Sequence, residues 1–426
     1  MLSIAFGVIA LALVANARGP SSYALTGARI FIGNGEVIEE GVLVVDRGLV
    51  VSVGTSADIP KDAWVIDARG KSIYPGFIDA LGTIGLGEKE EETSSENDGD
   101  GEPLARGPED RPGTRSWKSA ADELTLTDDR IESWRDAGFT SSVTVPEEGI
   151  FSGQAALINL AGERERDMVV RTPVALRVNL SPPASGRSFP GSLMGVVAYV
   201  KQAFADAAYY RASWRAYEKA PRGKPRPTYD RAIAPLARAQ AEDWPVLLPA
   251  QWEHEIERSI ALAREAGVTP VLYGLHQGYA AVELLKAQNV PVLVGLEWPQ
   301  RDEDADPEKD EPLRVLEMRD RAPSTPGALE KAGVRFAFYT DGLEKPEEAM
   351  ASLRRAIAAG LSPGRAVSAL TLEAASIFGV EDRLGSLEAG KIANFFVASG
   401  DVFAEGTKVE SVFVDGNKFE VRGGEE

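Results

Sequence analysis

The chain has 426 residues, 44% of them hydrophobic, and no cysteine. A core of that size needs no disulfides, and the missing thiols exclude a lipidated cysteine anchor, thiolate metal sites and cysteine nucleophiles. The formal charge of -19 repels phosphate backbones and anionic headgroups, which excludes nucleic acid and argues against docking on acidic lipid.

The charge is concentrated. Residues 88–102 carry a net -7 and residues 302–311 a net -6, so the rest of the surface is only mildly acidic and these two stretches read as solvated loops. The N-terminus is apolar, and it is free of charged side chains as far as Ala17. Ala15-Asn16-Ala17 has the small-x-small form of a signal-peptidase site, and the run is shorter than the about 20 residues that span a bilayer. The expectation is a signal peptide over 1–17 and an exported product, periplasmic or extracellular, with no membrane contact after cleavage. A basic n-region is missing, so an upstream start, an uncleaved anchor and a buried apolar helix stay open as alternatives.

Residues 23–74 read as short strands, at 24–31, 41–46 and 50–53, joined by Gly33-Asn34-Gly35 and Asp46-Arg47-Gly48 turns. The chain then alternates. Strand candidates fall at 73–81, 139–145, 174–180, 245–250, 271–275, 290–296 and 334–340. Helical periodicity falls at 128–137, with Thr127 as N-cap, and at 193–217, 253–266, 279–287, 346–359 and 363–378. Residues 87–116 read as a long exposed loop, 153–156 as a glycine-bounded loop, and 219–228, with Pro221, Pro225 and Pro227, as another loop. Strands return at 393–398, 409–416 and 418–421. Neither end has enough strands to bury a sheet alone. The fold class expected is therefore α/β: a (β/α)8 TIM-like barrel over 75–385, flanked by a small β-sandwich built from 23–74 and 386–424.

Two motifs carry a family resemblance. Tyr74-Pro75-Gly76-Phe77-Ile78-Asp79-Ala80 resembles the end of the first barrel strand in the amidohydrolase superfamily, in its imidazolonepropionase-related and dihydroorotase-like branches. Ala369-Leu370-Thr371-Leu372-Glu373-Ala374-Ala375, Asp382 to Lys391, and Val412-Phe413-Val414-Asp415-Gly416 resemble that family's last helix, its return and its final hairpin. The resemblance implies a hydrolase in which a zinc-like divalent metal activates water for attack on a C–N bond. The same resemblance implies a His-x-His directly after Ala80, yet Leu81, Gly82 and Thr83 stand there. The fifth- and sixth-strand histidines would fall near Pro249 and Gly274, and no lysine stands clearly at the fourth-strand end. The whole chain has two histidines, too few for the family's metal set. The expectation is a degenerate metal site with no metal and no cofactor, hence a pseudoenzyme.

One family residue survives. Phe338-Tyr339-Thr340-Asp341-Gly342 resembles the eighth-strand motif, which makes Asp341 the proton shuttle; strand–Thr-Asp–Gly is equally ordinary turn chemistry. His276 and His254 follow the sixth and fifth strands, and with Glu297 they form the candidate substrate-binding set, on the face where barrel active sites sit. A rebuilt metal site from His254, His276 and Asp341 is the alternative, against histidines that merely occupy a loop and a helix start. Asp98-Gly99-Asp100-Gly101-Glu102 lacks the calcium-loop spacing and reads as solvated loop. Trp252, Trp298, Tyr209 and Tyr210 suit stacking on a ligand or packing in the core. The partners expected are a small molecule or peptide in the barrel mouth and an active amidohydrolase paralogue. The competing reading is a hydrolase of amide or peptide C–N bonds, working through Asp341.

Overall fold

The computed structural model describes residues 21–87, 105–182, 189–301, 306 and 310–421. Residues 1–17 and the 98–102 acidic segment lie outside them. No helix among the described residues is long and apolar enough to cross a membrane.

The two chain ends form one sheet. The N-terminal part supplies β1 (Ser22–Phe31), β2 (Val37–Asp46), β3 (Leu49–Gly54), β4 (Trp64–Asp67) and β5 (Ser72–Pro75). The β2–β3 turn is a two-residue loop, with Arg47 and Gly48 both at positive φ, the geometry whose twist matches a hairpin. Eight further strands, β6 to β13, build the barrel. The chain then returns as β14 (Phe395–Ala398), β15 (Val409–Val414) and β16 (Asn417–Glu420). β14 pairs antiparallel with β5, Phe395 opposite Pro75, and so closes the order β16-β15-β14-β5-β1-β2-β3, with β4 also on β1.

The stretch expected as one strand over 73–81 is divided at Gly76 into β5 and the first barrel strand, β6 (Phe77–Gly82). Gly76 is required there. A Cβ would run into the Thr140 side chain, and the Gly76 N–H donates to Asn394 O at 2.9 Å. Stacked and edge-on rings continue the junction, Phe31 on Tyr74 at 4.2 Å and Phe396 on Phe77 at 4.8 Å. Asn394 Nδ2 adds a bond to Asn159 Oδ1 at 2.8 Å.

The remaining barrel strands are β7 (Phe139–Thr144), β8 (Phe151–Asn159), β9 (Val169–Val178), β10 (Pro245–Ala250), β11 (Thr269–Gly274), β12 (Val292–Gly295) and β13 (Phe336–Tyr339), in sequential order from β6 to β13. All neighbours run parallel except around β8, which is antiparallel to both β7 and β9. This strand corrects the reading of 153–156 as a loop. Gly153 sits in the left-handed region at a register shift, so it marks a bulge inside a strand rather than an end. Side chains from all eight strands, among them Ala80, Leu81, Val143, Leu157, Leu247, Val271, Leu293 and Ala337, fill the interior as one apolar cluster.

Helices cover the outside: α1 (Arg130–Asp136), α2 (Glu165–Met168), α3 (Leu193–Lys219), α4 (Ala234–Ala241), α5 (Glu253–Ala266), α6 (Val282–Gln288), α7 (Leu313–Arg321), α8 (Thr325–Ala332), α9 (Pro346–Ala358), α10 (Pro363–Leu370) and α11 (Leu372–Ile377). The single helix expected over 363–378 breaks at Thr371, whose φ and ψ of -133° and -97° are not helical. Ala374, Ala375, Ile377 and Phe378 then join the barrel's interior cluster. Thr127 is not the cap of α1. Its hydroxyl bonds Thr125, and Asp128 takes the Arg130 N–H at 3.0 Å.

Candidate functional site

The mouth of the barrel is organised by one buried carboxyl group. Asp79, on β6, is fully buried. Its Oδ1 accepts the Thr340 N–H at 2.8 Å, and its Oδ2 accepts the Ser142 hydroxyl at 3.0 Å. The first bond crosses between β6 and β13, which lie side by side without forming a ladder, so this side chain joins the first and last strands. Burial pushes Asp79 up to about 7, with the charge of Asp341 adding to it, against the restraint of the hydrogen bonds from Thr340, Ser142 and the Leu81 N–H.

Asp341 follows immediately. Its Oδ2 lies 3.3 Å from Nη2 of Arg177, which projects from the end of β9; the side chains are 20% and 9% exposed. Burial raises the Asp341 carboxyl, Arg177 opposes that, and the nearby charge of Glu147 adds to it. The Arg177 guanidinium stands over the Tyr273 ring at 5.4 Å. Tyr273 donates to Asn179 Oδ1 at 3.0 Å, and Asn179 Nδ2 donates to the carbonyls of Glu147 and Gly149 at 2.7 and 2.9 Å. The ends of β9, β11 and β13 and the loop after β7 are thus tied around Arg177.

Of the residues expected at the site, the structure brings Asp341, Glu297 and His276 to the strand-end face. Glu297 follows β12, and its carboxylate fills the space a Cβ on Gly342 would take. Burial and the charges of Asp341 and Glu348 raise it. His276 follows β11, is held by the Glu297 backbone, and is kept toward its neutral form by burial. His254 follows β10 and is exposed on the first turn of α5. Among the described residues, no three histidine or carboxylate side chains form a group that could hold a metal.

Sequence reading missed Arg177 and the part played by Asp79. A signal for Arg177 was present, a charged residue inside the apolar run Val174-Ala175-Leu176-Arg177-Val178. The aromatic candidates divide. Trp298 is buried and donates to Ser352 O at 3.1 Å, Tyr210 packs against the core, Trp252 is half-buried, and Tyr209 is exposed.

A cleft of about 670 Å³ adjoins the mouth, lined among others by Thr83, Arg115, Lys118, Arg130 and Glu147. A larger one, about 780 Å³, lies among Arg171, Thr269, Pro291 and Arg335, at the opposite ends of the strands. Barrels of this kind do their chemistry at the C-terminal ends of the strands, so the smaller cleft is the relevant one.

The model of the amidohydrolase family matches residues 242–423. The structure of an amidohydrolase from Thermotoga maritima MSB8 superimposes with a TM-score of 0.79 at 25% identity, over 93% of this chain and 100% of that one. The C-terminal part of the chain thus resembles the amidohydrolase family in sequence, and nearly the whole chain shares the fold of an amidohydrolase. A Xaa-Pro dipeptidase with bound methionine (16% identity, TM-score 0.55, 94% and 100% coverage) and a putative prolidase from Bifidobacterium longum (16%, 0.56, 94% and 95%) share the fold. No curated protein matches the sequence.

An amidohydrolase frame implies a divalent metal at the strand ends, and the residues present do not fit one. Leu81 is fully buried in the apolar interior. Thr83 Oγ1 accepts from Arg130 at 2.9 Å. Pro249 and Gly274 offer no side-chain ligand. Arg177 places a guanidinium on Asp341, so a second cation there would be repelled.

Proposed function

We propose that this amidohydrolase-fold protein is exported and holds a small molecule or short peptide in its barrel mouth, without metal-dependent hydrolysis, alone or as partner to an active paralogue. The observation that carries this reading is the Arg177–Asp341 pair. A fixed guanidinium stands where the metal-bearing members of such a frame need carboxylates and imidazoles, and an adjoining cleft has room for a ligand.

Asp341 also favours a second reading. A carboxyl group raised by burial suits general acid–base work near neutral pH, and the fold is shared with a dipeptidase. In that reading the chain cleaves an amide or peptide C–N bond, with Asp341 taking the proton of the attacking water and delivering it to the leaving nitrogen.

Turnover separates the two. The protein is incubated with a panel of Xaa-Pro dipeptides and N-acyl amino acids, with and without Zn²⁺. The binding reading predicts no hydrolysis above background and no difference between wild type and Asp341→Asn. Hydrolysis that Asp341→Asn abolishes would establish the second reading and end the first.

A further inference from the structure

The acidic average of the chain conceals a basic arm. α3, of 27 residues, buries side chains only as far as Ala207, and beyond that point only Tyr210 among its apolar side chains packs against the core. Residues 208–219 add about 18 Å of helix, and the chain returns beside them through Pro221, Pro225 and Pro227. The returning limb is fastened. Lys224 Nζ donates to Ala216 O at 3.0 Å, the Arg226 guanidinium lies over the Trp214 ring at 5.5 Å, and that ring meets Tyr210 and Tyr217 edge-on at 6.1 and 6.4 Å. Between the limbs lies a cleft of about 710 Å³, lined among others by Tyr209, Tyr217, Lys224 and Arg226.

Residues 208–231 hold five arginines and two lysines against Glu218 and Asp230, a net +5 in a chain of -19. All seven cations but the half-buried Arg211 are exposed, and none pairs with a carboxylate among the described residues. The acids beside the cleft, Asp206 and Asp230, are held instead by Arg111, at 2.7 and 3.6 Å. Acids outnumber bases in the chain by 65 to 46, so seven neighbouring bases left without a carboxylate repel one another with no gain to the fold.

We propose that this arm docks an acidic segment of a partner protein, with its tyrosines as anchors. Charge complementarity sets the sign of the occupant, and the side chains set its class. Five of the seven cations are arginine, whose planar fork pairs with carboxylates, and arginine, tyrosine and tryptophan are the residues that dominate protein–protein interfaces. Tyr209 and Tyr229 stand 76% and 69% exposed. A membrane-binding arm inserts apolar side chains, and residues 208–231 contain no Leu, Ile, Val, Met or Phe. The arm is already held by its own contacts, so docking has little of it to order. The proposal does not depend on what the barrel mouth binds.

The test uses the full chain and a peptide of about ten alternating Asp and Glu residues with one central Phe, labelled with an uncharged dye and followed by fluorescence anisotropy at several salt concentrations. The expected result is saturable binding that weakens as salt rises, with no binding of the Asn/Gln counterpart. Arg215→Glu/Arg222→Glu changes two exposed side chains and removes most of the arm's net charge; it should weaken the peptide about tenfold and leave the urea midpoint where it is in wild type. Tyr209→Ala should weaken it at every salt concentration and leave the salt dependence as it was. Undiminished binding in the charge variant would overturn the arm as the site. Binding that ignores Tyr209→Ala would reduce the arm to a diffuse cluster of cations and overturn the docking. No binding of the peptide would overturn it as well, as would phosphatidylglycerol vesicles or a single-stranded oligonucleotide binding through the arm in the peptide's place.

Discussion

Arg177→Met is expected to destabilise the protein by about 3–5 kcal/mol, whereas the double variant Arg177→Met/Asp341→Leu should recover most of that loss. Both side chains are largely out of water. Removing the cation alone leaves the Asp341 carboxylate beside Glu147 and Glu297, with its nearest counter-charge gone. Removing both charges removes the desolvation cost together with the attraction, and a buried ion pair replaced by apolar groups is often close to neutral. The comparison is made by urea unfolding at one pH, with unchanged m-values required before the midpoints are compared. If the single variant costs less than the double, Arg177 and Asp341 do not act as a pair. The pairing also revises what the turn motif implies. Asp341→Asn looks nearly neutral from Thr340-Asp341-Gly342 alone, but it takes the charge from a hydrogen bond to a buried guanidinium, a class of bond that contributes about 1.5–3 kcal/mol.

The second large effect is on pH. Asp79 has a folded pKa of about 7, against about 3.9 in an unfolded chain. The folded state therefore binds more proton than the unfolded state between those values, and stability falls as pH rises. The contribution is fully present below about pH 4 and is lost as pH rises through about 7, a span worth on the order of 4 kcal/mol. Asp79→Asn keeps an oxygen for the Thr340 N–H and an amide for Ser142, but it carries no charge at any pH. The difference in unfolding free energy between wild type and Asp79→Asn, measured from pH 4.5 to 8.5, isolates this group from the other carboxylates. Wild type should lose ground to the variant from pH 4.5 to about 7, and the difference should level off above that. A constant difference would mean that the Asp79 carboxyl is not desolvated as the fold implies.

The frame was readable because two kinds of local signal agreed with it. Pro75-Gly76-Phe77-Ile78-Asp79 marks the passage from terminal sheet to barrel, and the structure gives the reason, a glycine wedged against Thr140. The Asp46-Arg47-Gly48 and Asp415-Gly416 turns were readable for the same reason, since two-residue hairpin loops need positive φ. β8 was hidden because Gly153 looks like a strand end when its pairing partners are unknown. α4, α7 and α8, of eight or nine residues, were not read, although the still shorter α1 and α6 were. At the site, Leu81 and Thr83 could be read directly against the family motif. Arg177 could not, because its meaning depends on Asp341, 164 positions away. His254 illustrates the converse. Its position after a strand suggested the mouth, and the structure places it, exposed, on the first turn of the helix that follows β10.

The replacement of a metal centre by a protein cation is the central claim, and metal content tests it most directly. The protein is purified without chelator or affinity histidines, loaded with Zn²⁺, desalted, and analysed by inductively coupled plasma mass spectrometry. The Arg177–Asp341 pair and the apolar setting of Leu81 predict less than about a tenth of a metal ion per chain. Close to one metal per chain, lost in Asp341→Asn or His276→Ala, would contradict the account and place a rebuilt metal site at this mouth.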